Sequence, residues 1–203
     1  QRELVEKLGG KILLLTNVSR FVTGMGREHP IENGFVWHHT LGTPYVPGSS
    51  VKGMLRAWLR EDGAWDEDEQ QFGVWNNDKR RMEDDATIRR QFGSLETGIG
   101  KFIVFDMLPT RSPKLVVDVM TPHYSPYYQG TEAPGDWHNP VPISFLTVEA
   151  GCSWQVGIAP VTRASPNKSA TELEQLSAAL VEANQFNGAG AKTAVGYGRF
   201  DPD

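Results

Sequence analysis

Four glycines and one lysine lie close together in GAGAKTAVGYGRF, which runs from Gly188 to Phe200. Such a run is typical of loops whose backbone N–H groups cradle a phosphate. An ATP-binding P-loop, however, has the pattern Gly-x-x-x-x-Gly-Lys-Ser/Thr and opens a helix. Here Ala191 stands before Lys192–Thr193, Phe186 occupies the position of the first glycine, and we expect no helix after the loop. The sequence therefore does not predict that this loop binds ATP. It does not predict a dinucleotide-binding fingerprint either, because no strand-to-helix crossover follows Gly190.

Two interpretations of this loop stay open. It is a tight turn between a helix and a final strand, or its backbone amides bind a ligand. In the second case Lys192 and Arg199 would add positive charge, a combination that suits a phosphodiester chain. Gly190 would let the backbone approach such a chain closely, because glycine has no side chain.

The adjacent histidines His38 and His39 are candidates for acid–base chemistry or metal binding. Neighbouring side chains in an extended segment point in opposite directions, so the two would not converge on one metal ion. No third ligand is evident, and we expect neither a metal nor another cofactor. One histidine is a candidate to face RNA. His123 and His138 lie in an aromatic loop whose rings either stack on bases or pack within the protein.

The sequence does not support a Ser-His-Asp triad. Ser50 lies in GSS rather than in Gly-x-Ser-x-Gly, and a serine here is better explained as the N-cap of a helix. Asp106 and Asp118 fall in predicted strands, where we expect a solvated sheet face.

The stretch PYVPGSSVKGMLRAWLRE predicts an amphipathic helix with Ser49 or Ser50 as its N-cap. Its apolar positions recur at helical spacing, and a separate basic stripe runs beside them. We expect Gly53 to allow close packing on a sheet. The apolar stripe comprises Val51, Met54, Leu55, Trp58 and Leu59, and the basic stripe Lys52, Arg56 and Arg60.

The remaining elements predict an α+β fold, close to the ferredoxin-like order β-α-β-β-α-β. A further helix is expected over 169–186, with Thr171 and Glu174 as a capping box and three inward leucines. We expect one domain over 1–203, with an acidic, solvated insertion at about 61–96 and a long aromatic loop at 121–142. Strands are expected at Lys11–Ser19, Lys101–Leu108 and Lys114–Met120, followed by a hairpin that turns at Ala150–Gly151. The three inward leucines of the helix over 169–186 are Leu173, Leu176 and Leu180.

Charge and composition limit the classes of protein. The net charge of the 203 residues is −5, but the segment from Glu61 to Glu96 holds eleven acids and five bases, so the rest could carry a basic face. No apolar run approaches the length of a membrane span, and no signal-peptide pattern is present. The single cysteine, Cys152, excludes an internal disulfide and favours a reducing, cytoplasmic setting. Since the chain does not begin with Met, we expect a fragment or a processed product.

The two motifs PYVPGSSVKGMLR and GAGAKTAVGYGRF together resemble those of the RAMP superfamily of CRISPR proteins. In that family the first opens a helix of a ferredoxin-like domain, and the second joins the last helix to the last strand. HHTLG, DVMTPHYSPYYQG and DWHNPVPISFLTV are most similar to the sixth-subunit family of the Cmr (type III-B) effector complexes. The resemblance extends from about Lys11 to Phe200.

The resemblance implies a non-catalytic, RNA-binding subunit that caps the filament of RAMP subunits towards the 3′ end of the guide RNA. It implies as partners the CRISPR guide RNA and neighbouring RAMP subunits of the Cmr complex, with target RNA as a further candidate. Such a subunit would help antiviral defence through interference with target RNA. The expected RNA-binding residues are His38, His39, Ser49, Ser50, Lys52, Arg56, Gly188, Gly190, Lys192, Thr193, Gly196, Tyr197, Gly198 and Arg199.

Two other functions stay open. The first is a metal-independent endoribonuclease that processes guide RNA, in which His38 or His39 would act as the general base and Lys52 would bind the phosphate. The second is a scaffold that binds only proteins.

Overall fold

An antiparallel sheet forms the centre of the protein, with strand β1 (Lys11–Asn17) inside it. β1 pairs with β10 (Ser153–Pro160) on one side and with β11 (Phe200–Pro202) on the other. β10 also pairs with β6 (Phe102–Val104) and with β7 (Leu108–Pro109). The strand order is thus β11–β1–β10–β6, and every pairing is antiparallel.

These elements come from a computed structural model, which describes residues 1–28, 33–61, 74–76, 81–83, 86–94, 98–122, 125–133, 135, 137, 139–161 and 166–203. The smaller elements are α1 (Arg2–Lys7), β2 (Val74–Asn76), β3 (Arg81–Glu83), α3 (Ala86–Phe92), β4 (Gly93–Ser94), β5 (Gly98–Ile99), α4 (Ser125–Tyr128) and a 3₁₀ turn (Thr193–Val195). The fold is a mixed α+β structure with antiparallel sheets, as predicted.

Two long helices, α2 (Gly48–Glu61) and α5 (Pro166–Phe186), contact each other, and α5 packs on β1, β10 and β11. The predicted apolar stripes of both helices are confirmed by burial. Because these stripes face the sheet, they form the core together with Leu15, Trp154 and Val156. The fully or nearly buried stripe residues are Val51, Leu55, Trp58, Leu59, Leu173, Leu176 and Leu180.

The predicted helix starts are wrong. α2 begins at Gly48, so Ser49 and Ser50 lie inside its first turn and neither is the N-cap. α5 begins at Pro166, a residue favoured at the first helical position because its missing N–H needs no partner there. Thr171 and Glu174 therefore form no capping box, and the Glu174 carboxylate instead lies 2.5 Å from Nζ of Lys11.

Gly53 does not pack on the sheet, contrary to expectation. It lies on the exposed side of α2, and a Cβ atom built there would meet no other atom within 4 Å. The sheet side of α2 is the opposite one, occupied by Val51 and Leu55.

The expected hairpin of β9 (Ile143–Val148) and β10 is also wrong. β9 pairs with β8 (Leu115–Met120) in a separate two-stranded sheet, whereas β10 pairs with β1. The cause is the side chain of Asn17, which is fully buried where β1 ends. A turn does lie at Ala150–Gly151, but the backbone on both sides of it bonds to Asn17, and the two strands enter different sheets.

The Asn17 side chain makes four hydrogen bonds. Its Nδ2 donates to the carbonyl oxygens of Ser19 (2.8 Å) and Glu149 (3.0 Å). Its Oδ1 accepts from the N–H of Cys152 (2.9 Å) and from Nε1 of Trp154 (3.2 Å). Cys152 is itself buried, and burial raises the pKa of its thiol.

The strand expected over Lys101–Leu108 is interrupted between β6 and β7. There Met107 exchanges two backbone hydrogen bonds with Val46, at 3.0 and 2.9 Å. The segment before α2 thus takes the place of a sheet neighbour and separates β6 from β7.

Most of the acidic segment lies outside the described residues. Contrary to the expectation of a solvated segment, its end contributes to the core, because Ile88 and Phe92 of α3 are buried there. In the aromatic loop, Tyr128 and Trp137 are 78% and 77% exposed, and His123 and His138 lie outside the described residues. None of the described helices is long and apolar enough to cross a membrane.

We expect Asn17→Ala to lower the free energy of unfolding by about 3 kcal/mol or more. Each buried hydrogen bond contributes about 1 kcal/mol, and the partners left without a bond add a desolvation cost. Urea denaturation of both proteins would measure the difference. Asn187→Ala is the control, because Asn187 is only half-buried and makes no side-chain hydrogen bond within the described part of the chain. Equal stability of the two variants would contradict the role assigned to Asn17.

Candidate nucleic-acid interface

The first turn of α2 is capped by an aspartate from elsewhere in the chain. Oδ1 of Asp106 accepts a 2.6 Å hydrogen bond from the N–H of Gly48, and Gly48 itself lies against the backbone of Val104 and Phe105. Since a carboxylate at this end of a helix also satisfies the helix dipole, the helix start already binds an anion of its own chain. The N–H of Gly48 is therefore not free for a ligand, and the expectation of a solvated sheet face is wrong for Asp106.

His38 holds the turn that precedes α2. Its Nδ1 accepts from the N–H groups of Thr40 (3.4 Å) and Leu41 (3.3 Å), and its ring lies edge-on to Tyr45 at 5.0 Å. Nε2, which carries the hydrogen of the neutral ring when Nδ1 accepts, lies 3.9 Å from Oδ2 of Asp106. His38 thus has a structural role, since it stabilises the turn, whereas its neighbour His39 is exposed.

The basic stripe of α2 divides into different roles. Nζ of Lys52 donates to the carbonyl of Phe92 at 2.7 Å and lies 5.8 Å from the centre of the Phe92 ring. Lys52 therefore ties α2 to α3. Arg56 and Arg60 are half-buried.

The glycine-rich loop has a backbone that few residues other than glycine can adopt. The φ angles of Gly188, Gly190, Gly196 and Gly198 are +75°, +90°, +95° and +68°, and Lys192 is also left-handed at +59°. A Cβ atom at Gly190 would overlap the carbonyl oxygen of Val22, and one at Gly198 would overlap that of Ala189. A Cβ atom at Gly188 would also come too close to Gly198 O, so close approach within the chain itself explains three of the four glycines.

Arg199 and Lys192 both have partners inside the protein. Nη1 of Arg199 donates to the carbonyl of Phe186, the last residue of α5, and Nη2 donates to Thr193 O at 3.3 Å. The guanidinium thereby neutralises the negative end of the helix dipole and braces the loop. The Lys192 ammonium lies 5.6 Å from the centre of the Phe145 ring, next to β9.

Tyr197 links the loop to the second sheet. Its hydroxyl donates to Oδ2 of Asp118 at 2.6 Å, and Arg20 binds the same oxygen at 2.7 Å. The Tyr197 hydrogen bond, with help from Arg20, lowers the pKa of Asp118. Burial, together with the Asp118 carboxylate, raises the pKa of Tyr197 to about 12. Asp118 is therefore a partner of two side chains, and the expectation of a solvated sheet face is wrong for it.

The two motifs from opposite ends of the sequence meet at one groove of ≈ 360 Å³. Three segments form its walls: the loop after β1, the start of α2 and the glycine-rich loop. The two motifs therefore line one groove although they are far apart in the sequence. The lining residues are Thr23, Gly24, Arg27, Val36, Val46, Pro47, Ser50, Val51, Met54, Gly188, Ala189, Gly190 and Thr193.

Four of the expected RNA-binding residues thus line the groove: Ser50, Gly188, Gly190 and Thr193. The other ten do not. Sequence reasoning missed Arg27 and Thr23, although Arg27 lies in GMGREHP, where a basic residue among glycines is a usable signal. Among the described residues, no cluster of three or more His, Cys, Asp or Glu could hold a metal ion.

The chain belongs to the RAMP superfamily, since the family's sequence profile matches residues 14–201. A curated relative, the CRISPR system Cmr subunit Cmr6 of Pyrococcus furiosus, is 29% identical over an alignment of 228 positions. The alignment covers 89% of this chain. This chain spans 64% of the length of that relative.

Two solved structures agree with this membership. The crystal structure of Cmr6 from Pyrococcus furiosus has a TM-score of 0.55 at 28% identity and covers 96% of this chain and 97% of its own. A chain of the cryo-EM structure of the Type III-B Cmr-beta bound to cognate target RNA has a TM-score of 0.70 and covers 100% of this chain and 62% of its own. Because the identity to this second structure is 21%, the similarity shows a shared fold alone.

We expect Tyr197 to ionise at a pH near 12. Its pKa in the folded state lies above the ordinary value of 10.0. The stability that it contributes is therefore complete below pH 10.0 and is lost as the pH rises towards 12. Phenolate absorbance measured against pH would show one late step that is absent in Tyr197→Phe and present in Tyr128→Phe. A late step in all three proteins would contradict this assignment.

We expect Gly190→Ala to destabilise the protein more than Gly196→Ala does. Both glycines have positive φ, which costs alanine about 1–2 kcal/mol, but only position 190 adds an overlap, with Val22 O. A Cβ atom at position 196 would meet nothing within 4 Å. Thermal melts of the two variants isolate the steric component, and equal melting temperatures would refute it.

Proposed function

We propose that this protein is a non-catalytic, RNA-binding subunit of a type III-B CRISPR (Cmr) effector ribonucleoprotein. The observation that carries the proposal is the groove, where two motifs about 140 residues apart in sequence meet (Ser50 and Gly190 both line it). The similarity to Cmr6 of Pyrococcus furiosus supports the assignment to this complex. The subunit would cap the filament towards the 3′ end of the guide RNA and serve antiviral defence.

We propose further that the central domain is ferredoxin-like and that residues 1–203 form one domain. If β1, α2, β6, β10, α5 and β11 are taken as its six elements, the sheet order β11–β1–β10–β6 becomes 4-1-3-2, with antiparallel neighbours. That order follows from two split β-α-β units, each of which leaves room for one strand between its own. The topology supports the proposal because it brings the loop after β1 and the loop before β11 to the same edge.

The proposed RNA-binding surface keeps the residues predicted from the sequence but ranks them by accessibility. Ser49, Ser50, Gly190 and His39 are exposed and are the best candidates for direct contact. Thr193 and Lys192 are half-buried beside them. His38, Lys52, Tyr197 and Arg199 would act indirectly, because each already binds a group of its own chain.

The proposed partners are guide RNA and adjacent RAMP subunits, with target RNA as a further candidate. The exposed aromatic side chains of Tyr128 and Trp137 suit contact with a neighbouring subunit, since such residues are enriched at interfaces.

Among the described residues, no contact supports the alternative of a guide-processing endoribonuclease. Its proposed base, His38, uses Nδ1 to accept two backbone N–H groups, and its proposed phosphate ligand, Lys52, binds the Phe92 carbonyl. A general base needs a free acceptor within reach of the 2′-hydroxyl. Of the two candidate histidines, only His39 is exposed.

We expect the chain to retain 5′-labelled single-stranded guide RNA without cutting it, with or without Mg²⁺. Filter binding measures retention, and a denaturing gel of the same sample measures cleavage. Retention should weaken as salt rises, because phosphate contacts release counterions with a slope of about −0.7 for each contact on a single strand. A cut product that disappears in His39→Ala would establish the enzyme instead, and salt-independent retention would contradict phosphate contacts.

A further inference from the structure

The groove described above has walls that are held in place before any ligand arrives. The N–H of Ala191 donates to Val22 O at 2.8 Å, and the N–H of Gly198 donates to Arg20 O at 2.8 Å. On the other side, the N–H of Val36 donates to Thr23 O at 3.2 Å. Since the loop after β1 is bonded on both sides, the groove keeps its shape, and a ligand loses little free energy in ordering it.

The floor of the groove is apolar and its rim is polar. Val36, Val46 and Val51 are 6%, 3% and 0% exposed and form the floor. Ser50 and Arg27 are exposed at the rim. Such a surface suits a flat ring that has apolar faces and polar edges, which describes a nucleobase.

The charge of the groove selects an anion. Among the described residues, Arg27 is the only charged one that lines the groove, and no acid does, although the whole chain has a net charge of −5. In the ranges that the structure describes, the Arg27 side chain makes neither a hydrogen bond nor an ion pair, and it is exposed. Its backbone is fixed, because the N–H of Arg27 donates to Gly24 O at 3.0 Å.

Backbone donors lie at the same rim. The N–H groups of Gly190 and Thr193 have no acceptor within the part of the chain covered by the structure. A guanidinium together with backbone N–H groups is a common set of phosphate ligands in proteins. The groove therefore offers ligands for both a base and a phosphate.

We propose that this groove holds one unpaired nucleotide of the bound RNA, with its base on the valine floor and its phosphate at Arg27, Gly190 and Thr193. The proposal rests on the proposed function. It adds that the protein binds one base of the RNA as well as the RNA backbone. The volume of ≈ 360 Å³ suits a single small ligand and is too small for a duplex or a helix of a partner protein.

The test compares two fluorescein-labelled strands of equal length, oligouridylate and its abasic counterpart with ribose and phosphate only. Fluorescence anisotropy gives the dissociation constant of each for the full chain. We expect the parent protein to bind oligouridylate at least about tenfold more tightly than the abasic strand, in keeping with the free energy of burying one base.

Ser50→Trp should fill the groove from its exposed rim. We expect it to bind the two strands with equal affinity, because a base can no longer enter the groove. Ala178→Trp adds the same side chain at an exposed position of α5, away from the groove, and should behave like the parent. Arg27→Ala should weaken the binding of both strands about equally, because the phosphate is common to them.

Each other result is decisive in a different way. A parent that binds both strands equally, or a Ser50→Trp variant that loses both equally, would overturn the base pocket and leave RNA binding intact. A parent that binds neither strand would overturn the proposed function as well. Displacement of oligouridylate by hexaglutamate as efficiently as by unlabelled oligouridylate would mean that the groove takes an acidic peptide instead.

A second experiment uses only the parent protein, so its result does not depend on whether a variant folds. Oligouridylate with 4-thiouridine, crosslinked by ultraviolet light to the parent protein, should attach to the peptides that contain Arg27 or Met54. Mass spectrometry of the digest identifies them. Adducts confined to the aromatic loop at 121–142 would overturn the proposal.

Discussion

The candidate interface depends on one buried amide, the side chain of Asn17. Its four hydrogen bonds join the end of β1, the connection between β9 and β10, and the indole of Trp154. An unpaired amide at this depth would cost several kcal/mol, so the surrounding backbone must adopt the geometry that satisfies it. The bond to Ser19 O directs the chain into the loop that carries Thr23 and Arg27, which form one wall of the groove.

Aromatic packing reinforces the same junction. Phe21 lies edge-on to Trp154 at 5.0 Å and to Phe200 at 5.7 Å, so residues of β10 and β11 contact the loop after β1. Edge-to-face pairs of this kind add about 0.5–1.5 kcal/mol beyond the burial of their surface. The polar and aromatic contacts together hold the glycine-rich loop next to the start of α2, although these segments are far apart in the sequence.

Sequence periodicity predicted what depends on burial alone. The apolar stripes of α2 and α5 and the run of β1 identified the core, because the side chains that avoid water must repeat with the period of their element. It could not predict features that depend on a partner distant in the chain. The cap of α2 comes from Asp106, and β9 and β10 separate because of Asn17, so local patterns named serines and a hairpin instead. The sequence drew attention to the glycines of the loop, but the need for Gly190 comes from Val22, a residue far from the loop in the sequence. For the interface, the sequence identified two of the three walls of the groove and missed the one that carries Arg27.

The buried thiol of Cys152 has a practical consequence for spectroscopy. A sulfur that is shielded from solvent, with its pKa raised by burial, forms little thiolate and reacts slowly with maleimides. Because this is the single cysteine of the chain, a cysteine introduced at any exposed position would take up a dye or a nitroxide label almost alone. The natural sequence is therefore already a suitable background for distance measurements by energy transfer or electron paramagnetic resonance.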